Sequence, residues 1–149
     1  MTKTIIPLVA LCFLLSGCQG MFGTIPGKHW RVAVSNSDPK LEADSAAKIG
    51  QILTQRLQLA VLYVAPESKG WQSSFVDLAN APQGGTLSVV VHVNRSDSEI
   101  VLEVHDFSRS PDAEKSEHAM AGQVLSILKE LYPNSSASAF IAYRGLLGP

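Results

Sequence analysis

Two runs of alternating residues, Thr86–Asn94 and Ile100–Phe107, constrain this chain more than any other feature. In a strand, successive side chains point to opposite faces, so residues two apart share a face. Leu87, Val89, Val91 and Val93 therefore occupy one face. Ile100, Leu102 and Val104 must share it, which demands an even loop between the runs. Pairing Asn94 with Glu99 around the four residues Arg95–Ser98 satisfies that parity. Ser88, Val90, His92, Val101, Glu103 and His105 then lie on the opposite face. A hairpin with one apolar face is stable only when a second layer covers that face.

Two helical stripes can supply the layer. Trp30–Ser35 alternates and reads as a first strand. In the turn Asn36–Pro39, Asp38 is suited to cap a helix, with Pro39 at the first helical position. Ala46, Ile49, Leu53, Leu57 and Ala60, with Ile52 alongside, recur at three- and four-residue steps. Glu42, Lys48, Gln51 and Gln55 fall off that stripe. Gly50 weakens a helix by about 1 kcal/mol against Ala, so its place suggests close packing on the sheet. Val61–Ala65 reads as a short buried strand stopped by Pro66, completing a right-handed strand–helix–strand unit. Pro66–Gly85 reads as irregular, with Trp71, Phe75 and Leu78 in one helical turn that lids the core. Ser110–Pro111 opens a second helix with the stripe Ala121, Val124, Leu125, Leu128, Leu131 and Tyr132, ended by Pro133. Ser135–Ser138 reads as a linker, and Phe140–Tyr143 as a last short strand or a tail. The expected fold is α+β: a two-layer sandwich of an about four-stranded mixed sheet with two helices on one face.

The first residues carry a different signal. Lys3 is followed by the apolar run Ile5–Leu15, too short to cross about 30 Å of hydrocarbon as a helix. Leu15-Ser16-Gly17-Cys18 then forms a lipobox. This leader resembles that of bacterial lipoproteins as a class. The resemblance implies cleavage before Cys18 and lipidation of that residue with fatty acyl chains such as palmitate. Several chains anchor firmly where one is marginal, each buried CH₂ contributing roughly 0.8 kcal/mol. Gln19, standing where an Asp would imply retention at the inner membrane, implies the outer membrane with the domain facing the periplasm. The organisation expected is a signal peptide over 1–17, a lipidated tether over 18–28, a periplasmic domain over 29–133 and a C-terminal segment over 134–149. His29 is read with the tether. Cys12 leaves with the leader and Cys18 is lipidated, so neither forms a disulfide.

Without Lys3, eleven basic side chains face thirteen acidic ones, and the basic residues are scattered. Nucleic-acid binding needs a concentrated positive footprint, so it is not expected. His92, Glu103 and His105 share a sheet face and are chemically suited to zinc. No HxH or HExxH spacing supports them, so an ordinary solvated face is the reading taken and no metal or other cofactor is expected. His105 and Asp106 beside Ser108 do not make a triad, because adjacent strand residues point to opposite faces. GxSxG, Walker and GxGxxG motifs are absent. His118 falls off its helix stripe and reads as solvent-facing.

Binding is the remaining chemistry. Trp71, Phe140, Ile141, Tyr143 and Arg144 are the candidate partner contacts, since interfaces favour aromatic and Arg anchors. Trp30 is weighed with them but fits the core. In order of elements, the chain resembles the lipopolysaccharide-assembly lipoproteins and the penicillin-binding-protein activators; no functional residue beyond Cys18 is carried over. The expectation is a non-catalytic accessory or scaffold of an envelope, secretion or appendage assembly complex. The alternative is a small-ligand-binding lipoprotein with a pocket between the sheet and the Trp71 loop.

Overall fold

Strand pairing organises the chain. The computed structural model describes residues 27–68 and 70–142. Their elements are β1 (Gly27–Ala33), α1 (Ser45–Leu57), β2 (Ala60–Ala65), β3 (Ser73–Ala79), β4 (Leu87–Asn94), β5 (Glu99–Asp106), α2 (Ala113–Leu131) and β6 (Ser136–Ala142). The strands form one open antiparallel sheet of six in the order β2-β3-β4-β5-β1-β6. Both helices pack on one face, α1 across β2, β3 and β4, and α2 across β5. The fold is thus an α+β two-layer sandwich. Its sheet has six strands and is antiparallel, where about four strands in a mixed sheet were expected.

The central hairpin is as the alternation requires. Asn94 pairs with Glu99 and His92 with Val101. Val89, Val91, Val93, Ile100, Leu102 and Val104 have no exposed surface, and Leu87 is nearly buried. Each fully buried Val, Leu or Ile contributes roughly 1.5–3 kcal/mol against an exposed one. Ala46, Ile49 and Leu53 of α1, and Ala121, Val124, Ile127 and Leu128 of α2, close over them in a single core. Ile127 joins the expected stripe, while Leu125 and Leu131 pack at its margin. Gly50 lies against β3: a Cβ there would meet Val76 Cγ2 at 2.8 Å. The missing side chain lets the helix backbone come close to the sheet here.

Three features of the sheet lie outside the reach of local sequence. β1 and β2 are not neighbours in it. The antiparallel steps from β1 through β5, β4 and β3 to β2 make them run the same way, as a crossover requires, but three strands lie between them. Second, β2 is an exposed edge and not a buried strand: Val61, Leu62, Tyr63 and Val64 are all exposed. A register irregularity between Val61 and Tyr63 interrupts its pairing with β3. Third, Phe75 and Leu78 lie in β3 rather than in a helical turn. Ser74, Val76 and Leu78 alternate inward there and turn Phe75 and Asp77 outward.

Helix α1 begins at Ser45, six residues after Pro39. Asp38 is buried and engaged elsewhere. Its carboxylate accepts the backbone N–H of Ser35 at 3.3 Å, and the backbone N–H and side-chain amide of Asn134 at 2.9 and 3.0 Å. A distant partner has displaced the local cap. At the C-terminal side, β6 joins the sheet beside β1, so the segment Ser135–Ser138 leads into and forms part of an edge strand. Among the described residues, no helix is long and apolar enough to cross a membrane.

Candidate functional site

The face of the sheet away from the helices holds the chemistry. The hairpin register sets Val90 opposite Glu103 and Ser88 opposite His105, with His92 diagonal to Glu103. The missing member is His29. It lies in β1 as the direct partner of Glu103, and it is 4% exposed. Reading it with the tether was wrong, and the signal was present. Trp30, Val32 and Val34 alternate into the core, so one step back along the strand puts His29 on the same side as Arg31.

Three imidazoles thus surround one carboxylate. His29 Nδ1 lies 3.6 Å and His92 Nε2 3.3 Å from Glu103 Oε1, and His105 Nε2 lies 3.8 Å from Oε2. Glu103 is 9% exposed. Burial alone pushes its carboxyl up. The imidazoles of His105 and His92, with the charge of His29, outweigh burial and hold it well below the usual carboxylate range. These are ion-pair separations, longer than close hydrogen bonds. The Nε2 of His92 is buried and has no hydrogen-bond partner of good geometry.

Aromatic rings flank the cluster along the face. Tyr63 lies 5.6 Å from Phe75, and Phe75 lies 5.2 Å from His92. On the other side His29 lies 5.6 Å from Phe140, over which the Arg31 guanidinium sits at 4.9 Å. The ring of Phe107 stacks on His105 at 5.7 Å. Asp106 faces away from His105 and accepts the N–H of Ser108 at 2.8 Å. The three residues are not arranged as a triad.

The candidate partner contacts are dispersed. Trp71 is 68% exposed in the loop before β3, beside an open depression of about 490 Å³ lined by Gly70, Gln72, Ser73, Asn94 and Ser96. Phe140 lies in β6 of the chain's own sheet, as does the backbone of Ile141. Tyr143, Arg144 and Cys18 lie outside the described residues. Trp30 is in the core, and His118 is exposed with its ring 6.0 Å from that of Trp30.

The fold and face define the class, an α+β sandwich with one sheet face uncovered by its helices. Comparison with protein-family models, with curated proteins and with solved structures found no match.

Proposed function

We propose that the chain is a lipoprotein anchored in the outer membrane through Cys18, facing the periplasm. It serves there as a non-catalytic accessory or scaffold of an envelope, secretion or appendage assembly complex. The anchoring rests on the lipobox. The scaffold role rests on the free edge of the sheet. β2 presents Val61, Leu62, Tyr63 and Val64, all exposed and contiguous, at a strand that has one unpaired side among the described residues. Natural edge strands are ordinarily blunted with charge or proline. This one carries neither within Ala60–Ala65. It suits an added strand from an envelope protein, whose backbone would pair with the edge while its side chains cover these residues.

The experiment is capture of the lipidated protein from detergent extracts, with wild type beside Val61→Lys and Tyr63→Lys. A partner retained by wild type and lost from both variants supports the reading; one retained equally by all three removes the edge from it. Cys18→Ser should release the protein from the membrane fraction and abolish incorporation of labelled palmitate. The second reading, a small-ligand binder, draws on exposed Trp71 beside its depression. It predicts a change in tryptophan fluorescence with ligand that Trp71→Phe removes.

A further inference from the structure

We propose that His29, Glu103 and His105 form a binding site for a divalent transition-metal ion, with zinc the best match to the donors. One nitrogen of each histidine and one oxygen of Glu103 all lie within 4.8 Å of one another. Tetrahedral zinc, with bonds of about 2.0–2.1 Å, holds its ligands roughly 3.4 Å apart. His29 Nδ1 lies 3.6 Å from Glu103 Oε1, and His105 Nε2 lies 3.8 Å from the other carboxylate oxygen, Oε2. Bringing one atom of each residue from within 4.8 Å to that spacing takes a contraction of up to about 1.4 Å, made by side-chain rotation. Imidazole nitrogen with carboxylate oxygen is the mixed set that zinc accepts, whereas calcium and magnesium require oxygen.

The backbone sets this spacing. His29 and Glu103 are direct cross-strand partners, and His105 follows two residues on, on the same face. All three sit on interior strands of the sheet, where the ladder on both sides fixes their positions. His92 approaches from β4, on the other flank of the carboxylate. It would hold the Glu103 oxygen in place, as groups behind a ligating carboxylate do. A fourth metal position then remains for water or a further ligand. The side chains of His105 and His92, 19% and 31% exposed, mark the way in. The site is independent of membrane anchoring, and its test does not involve the lipid.

The test is zinc titration of the metal-stripped full chain carrying Cys12→Ser and Cys18→Ser, so that no thiol competes. Retention is read by equilibrium dialysis, and geometry by the visible spectrum of the cobalt(II) form. The expected result is one zinc ion per chain and a four-coordinate cobalt spectrum. His29→Ala and His105→Ala should each lose both signals, Glu103→Gln should lose or grossly weaken them, and His118→Ala should change nothing. His92→Ala should weaken binding about 10–100-fold without abolishing it. Circular dichroism identifies any variant that fails to fold; the near-isosteric Glu103→Gln and the wild-type cobalt spectrum still decide the question. A folded wild-type chain that retains no zinc, or retention undiminished in Glu103→Gln, overturns the proposal.

Discussion

On the covered face of the sheet, Val76, Val91 and Leu102 are sealed from solvent. At adjoining positions of the same strands, facing the other way, stand Phe75, His92 and Glu103. The covered face is uniform: any of several apolar side chains of similar volume would serve at most of its positions. The open face is particular. Its carboxylate is buried, and burying a charge is costly unless opposite charge lies close by. The three histidines gathered around it come from three strands. One face specifies that the chain folds; the other depends on which residues the fold brings together.

Truncating the covered face should cause the largest loss. Leu102→Ala, at a position with no exposure, should cost about 2–5 kcal/mol in urea denaturation. A cost below 1 kcal/mol would deny the uniform packing of this layer.

Glu103→Gln comes next, at about 1–3 kcal/mol, because it leaves partly buried imidazoles facing a neutral amide. The pH dependence has a defined sign. The folded-state pKa of Glu103 lies below its unfolded value of about 4.3. Its contribution is therefore present above that pH and drains away as pH falls toward the folded value. Glu103→Gln should flatten this acid limb of the stability profile; parallel acid limbs for the two proteins would remove Glu103 from the charge balance of the open face.

Gly50→Ala should destabilise by up to about 2 kcal/mol. The helix gains about 1 kcal/mol from Ala, but the new methyl presses on Val76, and overpacking costs about 1–3 kcal/mol. Thermal unfolding would show a lower midpoint; a higher one would mean that α1 lifts readily from the sheet. The smallest effect belongs to the hairpin loop that sets both faces in register. Ser98 has φ +51°, in the left-handed region. Ser98→Gly should change stability by less than about 1 kcal/mol, with relief of that conformation opposed by the greater unfolded freedom of glycine. Strand shifts in the amide spectrum of this variant would show that the loop, and not the apolar pattern, holds the register.

The covered face could be read from sequence because its signal is local. Alternation fixes Leu87–Val93 and Ile100–Val104, and a parity argument fixes the loop. Helical spacing likewise finds Ile49, Leu53, Val124 and Leu128. Partnership across distance leaves no such trace. Nothing in Val61–Ala65 says that three strands will separate it from β1, so an edge was mistaken for an interior strand. β3 went unseen because Ser73, Ser74 and Asp77 dilute its apolar pattern. Of the site, the hairpin gave His92, Glu103 and His105 a common face; His29 needed the pairing of β1 with β5, which joins residues more than seventy positions apart.

The Asp38 carboxylate has a consequence for motion. It ties the loop leaving β1 to the turn leaving α2, across 96 positions of sequence. Two connections that would otherwise fray separately share one anchor. Amide protons around Ser35 and Asn134 should then exchange with solvent as a single cooperative group, and loss of this one side chain should loosen both ends of the helical layer together.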